Sequence, residues 1–184
     1  MEPLRPWSGA FAEYVSVNAG MAFKLPEDME FDVAAGMPLR VATSTLAIFH
    51  SMGITPTLLD APLTEEAAFD VLVYGGGTST GTLAIQLLKM CGIRVLAVCS
   101  QRSFGMVKGF GADECFDYND LECGQKIRDF THNALDYALD CITEEGTMKI
   151  CYQALGRCGG KCESPRTSNG ISFRRYYARA FSDS

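Results

Sequence analysis

Histidine and tryptophan are scarce in this 184-residue sequence, with two of the former and one of the latter. A zinc site needs clustered Cys and His ligands, and His50 and His132 have no such company, so no metal site is read. No run of eighteen apolar residues exists, and none of the chain reads as a membrane-spanning helix. The opening MEPLRPWSGAFAEYV lacks a basic stretch followed by a continuous apolar one, so no secretory signal is read. Repeats and low-complexity tracts are missing too. Clustered cations are equally lacking: the formal net charge is −6, which argues against a phosphate-backbone partner. The charge is unevenly spread. Twelve basic and 21 acidic residues precede Ser164, whereas four Arg and one Asp follow from it.

With 47% hydrophobic and 21% charged residues, the composition is that of one sizeable globular domain. Eight cysteines are present, but their spacing is not that of a disulfide framework. Cys91, Cys99, Cys115, Cys141 and Cys151 lie in or beside apolar stretches, where a thiol packs as a small hydrophobe. Cys158 and Cys162 are four apart with two glycines between them and lack further ligands. Reduced thiols and a cytoplasmic location are therefore expected.

Along the chain, Phe11, Glu13, Val15 and Val17 alternate with Ala12, Tyr14 and Ser16, which predicts a strand. Pro26 breaks the exposed stretch that follows. From Asp32 to about Met52 an apolar segment interrupted by Pro38 reads as a short first turn and a longer helix stopping at Gly53. Residues 54–68 read as a surface linker. Thereafter short apolar runs alternate with helical patterns. Strands are expected at 71–74, 94–99, 114–118, 137–141 and from 159. Helices are expected at 82–90, 103–109, 122–131 and 144–155. This alternation predicts parallel strands joined by right-handed crossovers, an α/β doubly wound (Rossmann) sheet. The sheet signal ends at Cys162-Glu163-Ser164-Pro165, so the predicted sheet is incomplete.

The chemistry concentrates where the first of these strands meets its helix. Gly75-Gly76-Gly77-Thr78-Ser79-Thr80-Gly81 provides a tight turn free of side chains, followed by a helix N-terminus whose amides attract phosphate. Read as G-x-G-x-x-G, Gly75 and Gly77 match, position 80 is Thr, and Gly81 comes one residue late. Thr78, Ser79 and Thr80 add hydroxyl donors. In its βαβ setting the turn points to a dinucleotide. The second strand then ends in Ser100-Gln101-Arg102, with Lys108 one short helix later, where an NAD site would carry Asp or Glu. Hydroxyls and cations without a carboxylate suit a 2′-phosphate, so NADP(H) is favoured over NAD(H).

These residues resemble the medium-chain dehydrogenases/reductases of the zinc-independent quinone-oxidoreductase type, in particular the trans-acting enoyl reductases of fungal polyketide biosynthesis. The resemblance covers roughly 8–162. It rests on GAFAEYVSV at 9–17, PLRVATSTLAIFHSMG at 38–53, VLVYGGGTSTGT at 71–82, AVCS at 97–100, GADECFDY at 111–118, YALDCIT at 137–143 and ALGRCGG at 154–160. It implies that Gly77, Thr78, Ser79 and Thr80 line a pyrophosphate. Ser100, Gln101, Arg102 and Ser103 would surround the 2′-phosphate, with Lys108 and Tyr118 nearby. Thr43, Ser44, Thr45, Leu46, Ala47, Ile48, Phe49 and His50 would line a substrate channel, Thr43 being the candidate catalytic residue beside the nicotinamide.

The implied reaction is reduction of an α,β-unsaturated acyl thioester, carried by an acyl carrier protein of a polyketide synthase or hybrid synthetase. Hydride would reach the β-carbon from NADPH and a proton the α-carbon, with no metal required. Compared with that family, 1–30 corresponds to a remnant of a GroES-like β domain and 31–162 to a partial NADP-binding domain. Residues 163–184 form a basic tail without counterpart. The expected function is thus an NADPH-dependent enoyl reductase. The alternatives are a non-catalytic NADP-binding fragment or accessory module, and a quinone oxidoreductase-like enzyme.

Overall fold

A computed structural model describes residues 11–54, 69–156, 160–164 and 174–177. The linker expected over 54–68, apart from Ile54, and Cys158 lie outside these residues. The chain divides into two compact units, Met1–Met37 and Pro38–Ser184.

In the first unit, the strand expected over 11–17 does not form. Those residues run through bends and irregular backbone with Phe11, Tyr14 and Val17 exposed. A strand needs a partner for its amides and carbonyls, and alternation alone supplies none. Asn18 instead caps a 3₁₀ turn at Ala19–Met21, its side chain accepting from the Gly20 amide at 2.9 Å. Helix α1 (Phe31–Ala35) follows.

The second unit holds helix α2 (Met37–Thr45), which enters it at Pro38 and continues as a π-helical turn over Leu46–Ser51. The wide turn is closed by the Met52 amide bonding to the Ala47 carbonyl at 2.9 Å. Gly53, at φ +72, then ends the segment where the sequence placed its stop.

From residue 70 the expected alternation holds. The strands are β1 (Asp70–Tyr74), β2 (Arg94–Cys99), β3 (Glu114–Asp117), β4 (Tyr137–Asp140), β5 (Lys161–Ser164) and β6 (Arg174–Tyr177). The helices are α3 (Ser79–Met90), α4 (Phe104–Gly109), α5 (Cys123–Phe130) and α6 (Glu145–Ala154), with a 3₁₀ turn at Gln101–Ser103 leading into α4. Sheet order is β3-β2-β1-β4-β5-β6, and β1 to β5 pair in parallel. The sheet does not end at Ser164, however. β6 pairs antiparallel with β5, Lys161 opposite Tyr177 and Ser164 opposite Arg174. Periodicity missed it because Arg174-Arg175-Tyr176-Tyr177 has no apolar alternation. Main-chain pairing at a sheet edge does not need one.

Both faces of the sheet are covered, as period-2 strands between two helical layers require. Val71, Val73, Val95, Ala97 and Cys99 pack with Ala47 and Ile48 of the π turn and with Ala84, Ile85 and Leu88 of α3. On the other face Leu72, Tyr74, Leu96, Val98 and Ala138 meet Ile127 of α5 and Cys151 and Ala154 of α6. The chain order reverses between β1 and β4. Such a reversal leaves a crevice beyond the strands' carboxyl ends, the place where open α/β sheets bind ligands.

Candidate functional site

The crevice is built first by glycines. Gly75 leaves β1 at φ +79, a conformation that side chains disfavour, while its amide and that of Gly76 both donate to the Val98 carbonyl at 2.9 and 3.0 Å. A Cβ on Gly81 would stand 2.3 Å from the Gly75 carbonyl oxygen. Gly81 therefore sets how closely α3 approaches the turn. The third glycine of the fingerprint comes a residue late because here it is the one that touches the β1 end. Thr78 caps α3: its Oγ1 accepts from the Gly81 amide at 3.0 Å and donates to the Gly75 carbonyl at 2.8 Å. That hydroxyl proton, expected from the sequence to meet phosphate, is spent within the turn. The first-turn amides of Ser79 and Thr80 have no intrahelical acceptor and carry the positive end of the helix dipole.

A cavity of about 420 Å³ lies beside this turn, a volume ordinary for a small-molecule site. Gly75, Gly77, Thr78, Ser100, Arg102, Ser103 and Tyr118 line it, so the structure brings these seven sequence candidates together. Ser100 does not cap the following turn; its Oγ stands 3.0 Å from Ser103 Oγ, and the Ser103 amide donates to the Ser100 carbonyl. The adjacent hydroxyls and the exposed Arg102 guanidinium can receive a phosphate ester. No carboxylate closes β2.

Five cofactor candidates lie outside that lining. Gly76 is buried beneath the turn, where an added Cβ would meet Ala97 Cβ at 3.1 Å. Ser79 and Gln101 are exposed, and Thr80 is half-buried. Lys108 pairs with Glu114 at 3.0 Å. The Cys115 amide and this ammonium together hold the Glu114 carboxyl below its usual range.

The stretch expected to line a substrate channel divides by burial. Thr43, Ser44, Ala47 and Ile48 are buried, Thr45 and Phe49 half-buried, and Leu46 and His50 exposed. Thr45 bonds back to the Val41 carbonyl at 2.7 Å, the ordinary habit of a helix hydroxyl. Ser44 does otherwise. Its hydroxyl crosses to the Thr80 carbonyl at 3.2 Å and ties α2 to the first turn of α3.

Sequence reasoning gave no role to Tyr74, Cys99, Ile142, Glu144 and Thr147, which also line the cavity. Burial pushes the Tyr74 phenol up to about 12 and, foremost among its causes, does the same for the Cys99 thiol. The residue organising the 142–147 wall is Asp140, completely buried at the end of β4. An acidic residue closing the apolar run Tyr137-Ala138-Leu139 was the available signal.

A largely parallel sheet with a glycine turn at its reversal point and a hollow beside it is the architecture that dinucleotide-binding α/β proteins share. Comparison with known proteins narrows this. The model of the family described as "Zinc-binding dehydrogenase" matches residues 79–162. The trans-enoyl reductase buaC of Petromyces alliaceus is 48% identical over 157 residues, covering 85% of this chain and 43% of that protein. Among solved structures, the CurK enoyl reductase superposes with a TM-score of 0.66 at 18% identity, over 82% of this chain and 42% of that one. A mycobacterial protein complexed with NADPH superposes with a TM-score of 0.59 at 20% identity, over 72% of this chain and 38% of that one. The chain is thus similar to the medium-chain dehydrogenases/reductases, and among them to fungal trans-enoyl reductases. It spans less than half the length of the curated relatives it matches.

The matched family's description speaks of zinc. Among the described residues no group of three or more His, Cys, Asp or Glu could hold a metal ion. No helix among them is long and apolar enough to cross a membrane.

Proposed function

We propose that this chain binds NADP(H) beside the glycine turn and serves as a trans-acting enoyl reductase. Its substrate would be an α,β-unsaturated acyl thioester on the acyl carrier protein of a polyketide synthase or hybrid synthetase. The observation that carries the cofactor half is the cavity, which joins Gly75, Gly77 and Thr78 to Ser100, Arg102, Ser103 and Tyr118 without a carboxylate at the end of β2. The names of the relatives support the reaction half.

When bound, the nicotinamide supplies a hydride equivalent for the β-carbon of the enoyl group. The chain's own task is placement and electrostatics. Gly77 keeps the turn open, its missing Cβ lying 3.4 Å from Ser103 Oγ. The Ser79 and Thr80 amides offer donors to the pyrophosphate, and Ser100, Arg102 and Ser103 take the 2′-phosphate. Thr43 remains the proposed residue beside the nicotinamide, with Leu46 and His50 the exposed members of the proposed substrate stretch.

A second reading, binding without turnover, is favoured by one observation: no residue of 43–50 lines the cavity. Titration of the chain with NADPH and NADH, followed by cofactor fluorescence, tests the shared premise. NADPH should bind more tightly, and Arg102→Ala should cut the NADPH-over-NADH preference about tenfold, the worth of one charge-assisted contact. Binding of neither cofactor would remove both readings. NADPH consumption with an enoyl thioester then separates enzyme from binding module, and a quinone in its place tests the quinone-reductase alternative.

A further inference from the structure

The turn from β4 into α6 carries a buried network that the proposed function does not use. Asp140 is fully buried, and its Oδ1 accepts hydrogen bonds from the Ile142 and Thr143 amides, both at 3.0 Å. Its Oδ2 lies 2.6 Å from Thr147 Oγ1. The same hydroxyl oxygen stands 2.8 Å from the Glu144 carbonyl and accepts from the Glu144 amide at 3.0 Å. A hydroxyl has one proton to give, and the carboxylate is the stronger acceptor. From the β5 side, the Ser164 hydroxyl donates to Thr143 Oγ1 at 2.6 Å. Thr143 sits at φ +67, a conformation that costs a β-branched residue free energy and persists only when its surroundings hold it.

What this network holds is a wall of the cavity. Ile142 lies over the glycine turn, so that a Cβ on Gly75 would come within 3.0 Å of Ile142 Cγ1. Ile142, Glu144 and Thr147 all line the hollow. A strained backbone, a buried carboxylate and three loop amides are thus all spent on placing one short turn against the dinucleotide site.

We propose that Asp140, acting with Thr147, is a positioning residue for cofactor binding, holding the 141–147 turn in the shape that closes the pocket beside Gly75. This rests on the NADP(H) reading. Placed beside Gly75, the wall would meet a part of the ligand that NADPH and NADH share, whereas Ser100, Arg102 and Ser103 would meet the part that differs. Disturbing the network should therefore weaken both cofactors equally, leaving their ratio alone.

The test uses Thr147→Val, which keeps the side-chain shape and removes the hydroxyl, and Thr147→Ser, which restores it. Dissociation constants for NADPH and NADH are measured well below each variant's melting temperature. T147V should raise both about tenfold, the cost of one lost buried charge-assisted bond, with T147S returning towards the parent. Asp140→Asn should bind far better than Asp140→Ala. Its amide can donate to Thr147 Oγ1 while the threonine proton turns to the Glu144 carbonyl. Ser164→Ala loosens the same turn from outside the cavity and should raise both constants about threefold, which keeps the test decisive if T147V does not fold. A lowered melting temperature with unchanged constants in T147V and S164A would reduce the network to a purely structural role and overturn the proposal. A T147V effect on NADPH alone would overturn it as well. If the parent chain binds neither cofactor, the NADP(H) reading fails and the inference with it. If the parent binds and the variants match it, the inference alone fails.

Discussion

The glycine turn at 75–81 and the helical stretch at 43–50 are joined by the Ser44–Thr80 hydrogen bond, yet their side chains do opposite work. In the turn, side chains are withheld: Gly75 and Gly77 open a hollow, and Gly81 brings α3 against the β1 end. In the helix they are supplied, with Ala47 and Ile48 packed completely inside the core beside Val71, Val73 and Ala97. Hydroxyls occur in both segments and mean different things. Thr78 closes a cap, Thr45 bonds back along its own helix, and Ser44 fastens one segment to the other. A small polar residue near a ligand site is informative only once its partner is known.

The sharpest break of this contrast is a side chain where none fits. Gly81→Val would drive a Cβ into the Gly75 carbonyl, where neither backbone atom can yield cheaply. A loss upward of roughly 4 kcal/mol is expected, through overpacking of the turn and not through any lost contact. Gly105→Ala in α4 is the control, since an added Cβ there meets nothing within 4 Å. It should stabilise by up to about 1 kcal/mol through helix propensity. Chemical denaturation of both variants measures the gap, and equal effects would mean that the close approach at Gly81 is not required.

Removing bulk from the other side tests the supporting role. Ile48→Ala empties a fully buried site and should cost about 3 kcal/mol. The NADPH dissociation constant of the folded variant, measured in the cold, should stay within about twofold of the parent. A large rise in that constant without a stability loss would show Ile48 to be part of the ligand site instead.

Much of this contrast was legible in the sequence, and its limits have physical causes. Parallel strands and crossover helices follow from alternation of short apolar runs with helical spacing, and β1 to β5 fall where that alternation placed them. The glycine turn carried its meaning locally, since a tight turn needs particular residues at particular positions. Four things escaped. The strand expected at 11–17 had the right periodicity, but a strand exists only with a partner. Edge strand β6 had a partner in β5 and no periodicity to announce it. Lys108, close to the cofactor stretch in sequence, is paired with Glu114 across α4 and β3. Asp140 escaped for a related reason: its three bonds reach forward into a turn whose shape no spacing rule describes.

Cys99 belongs to both regions at once and offers the finest test. Its side chain lines the cavity, yet it is 3% exposed and packs in the same cluster as Ala47 and Ile48. Burial, with smaller help from Cys115 and Asp117, pushes its thiol from an ordinary value near 9.0 up to about 12. Between those values the unfolded chain releases the thiol proton while the folded chain keeps it. The unfolded state then binds fewer protons, so stability falls as pH rises. Below pH 9 both states hold the proton, and the thiol adds no pH dependence. Cys123 and Cys141, raised to about 11 and about 12 mainly by burial, should steepen the same alkaline loss. Cys99→Ala should therefore lose less stability than the parent between pH 8 and pH 10, by about 1 kcal/mol. Urea midpoints at the two pH values give that difference directly, with the cavity cost of the substitution cancelling. An unchanged difference would mean that the thiol at the base of the pocket is open to water, and that core and cavity meet less tightly there than the burial of Cys99 implies.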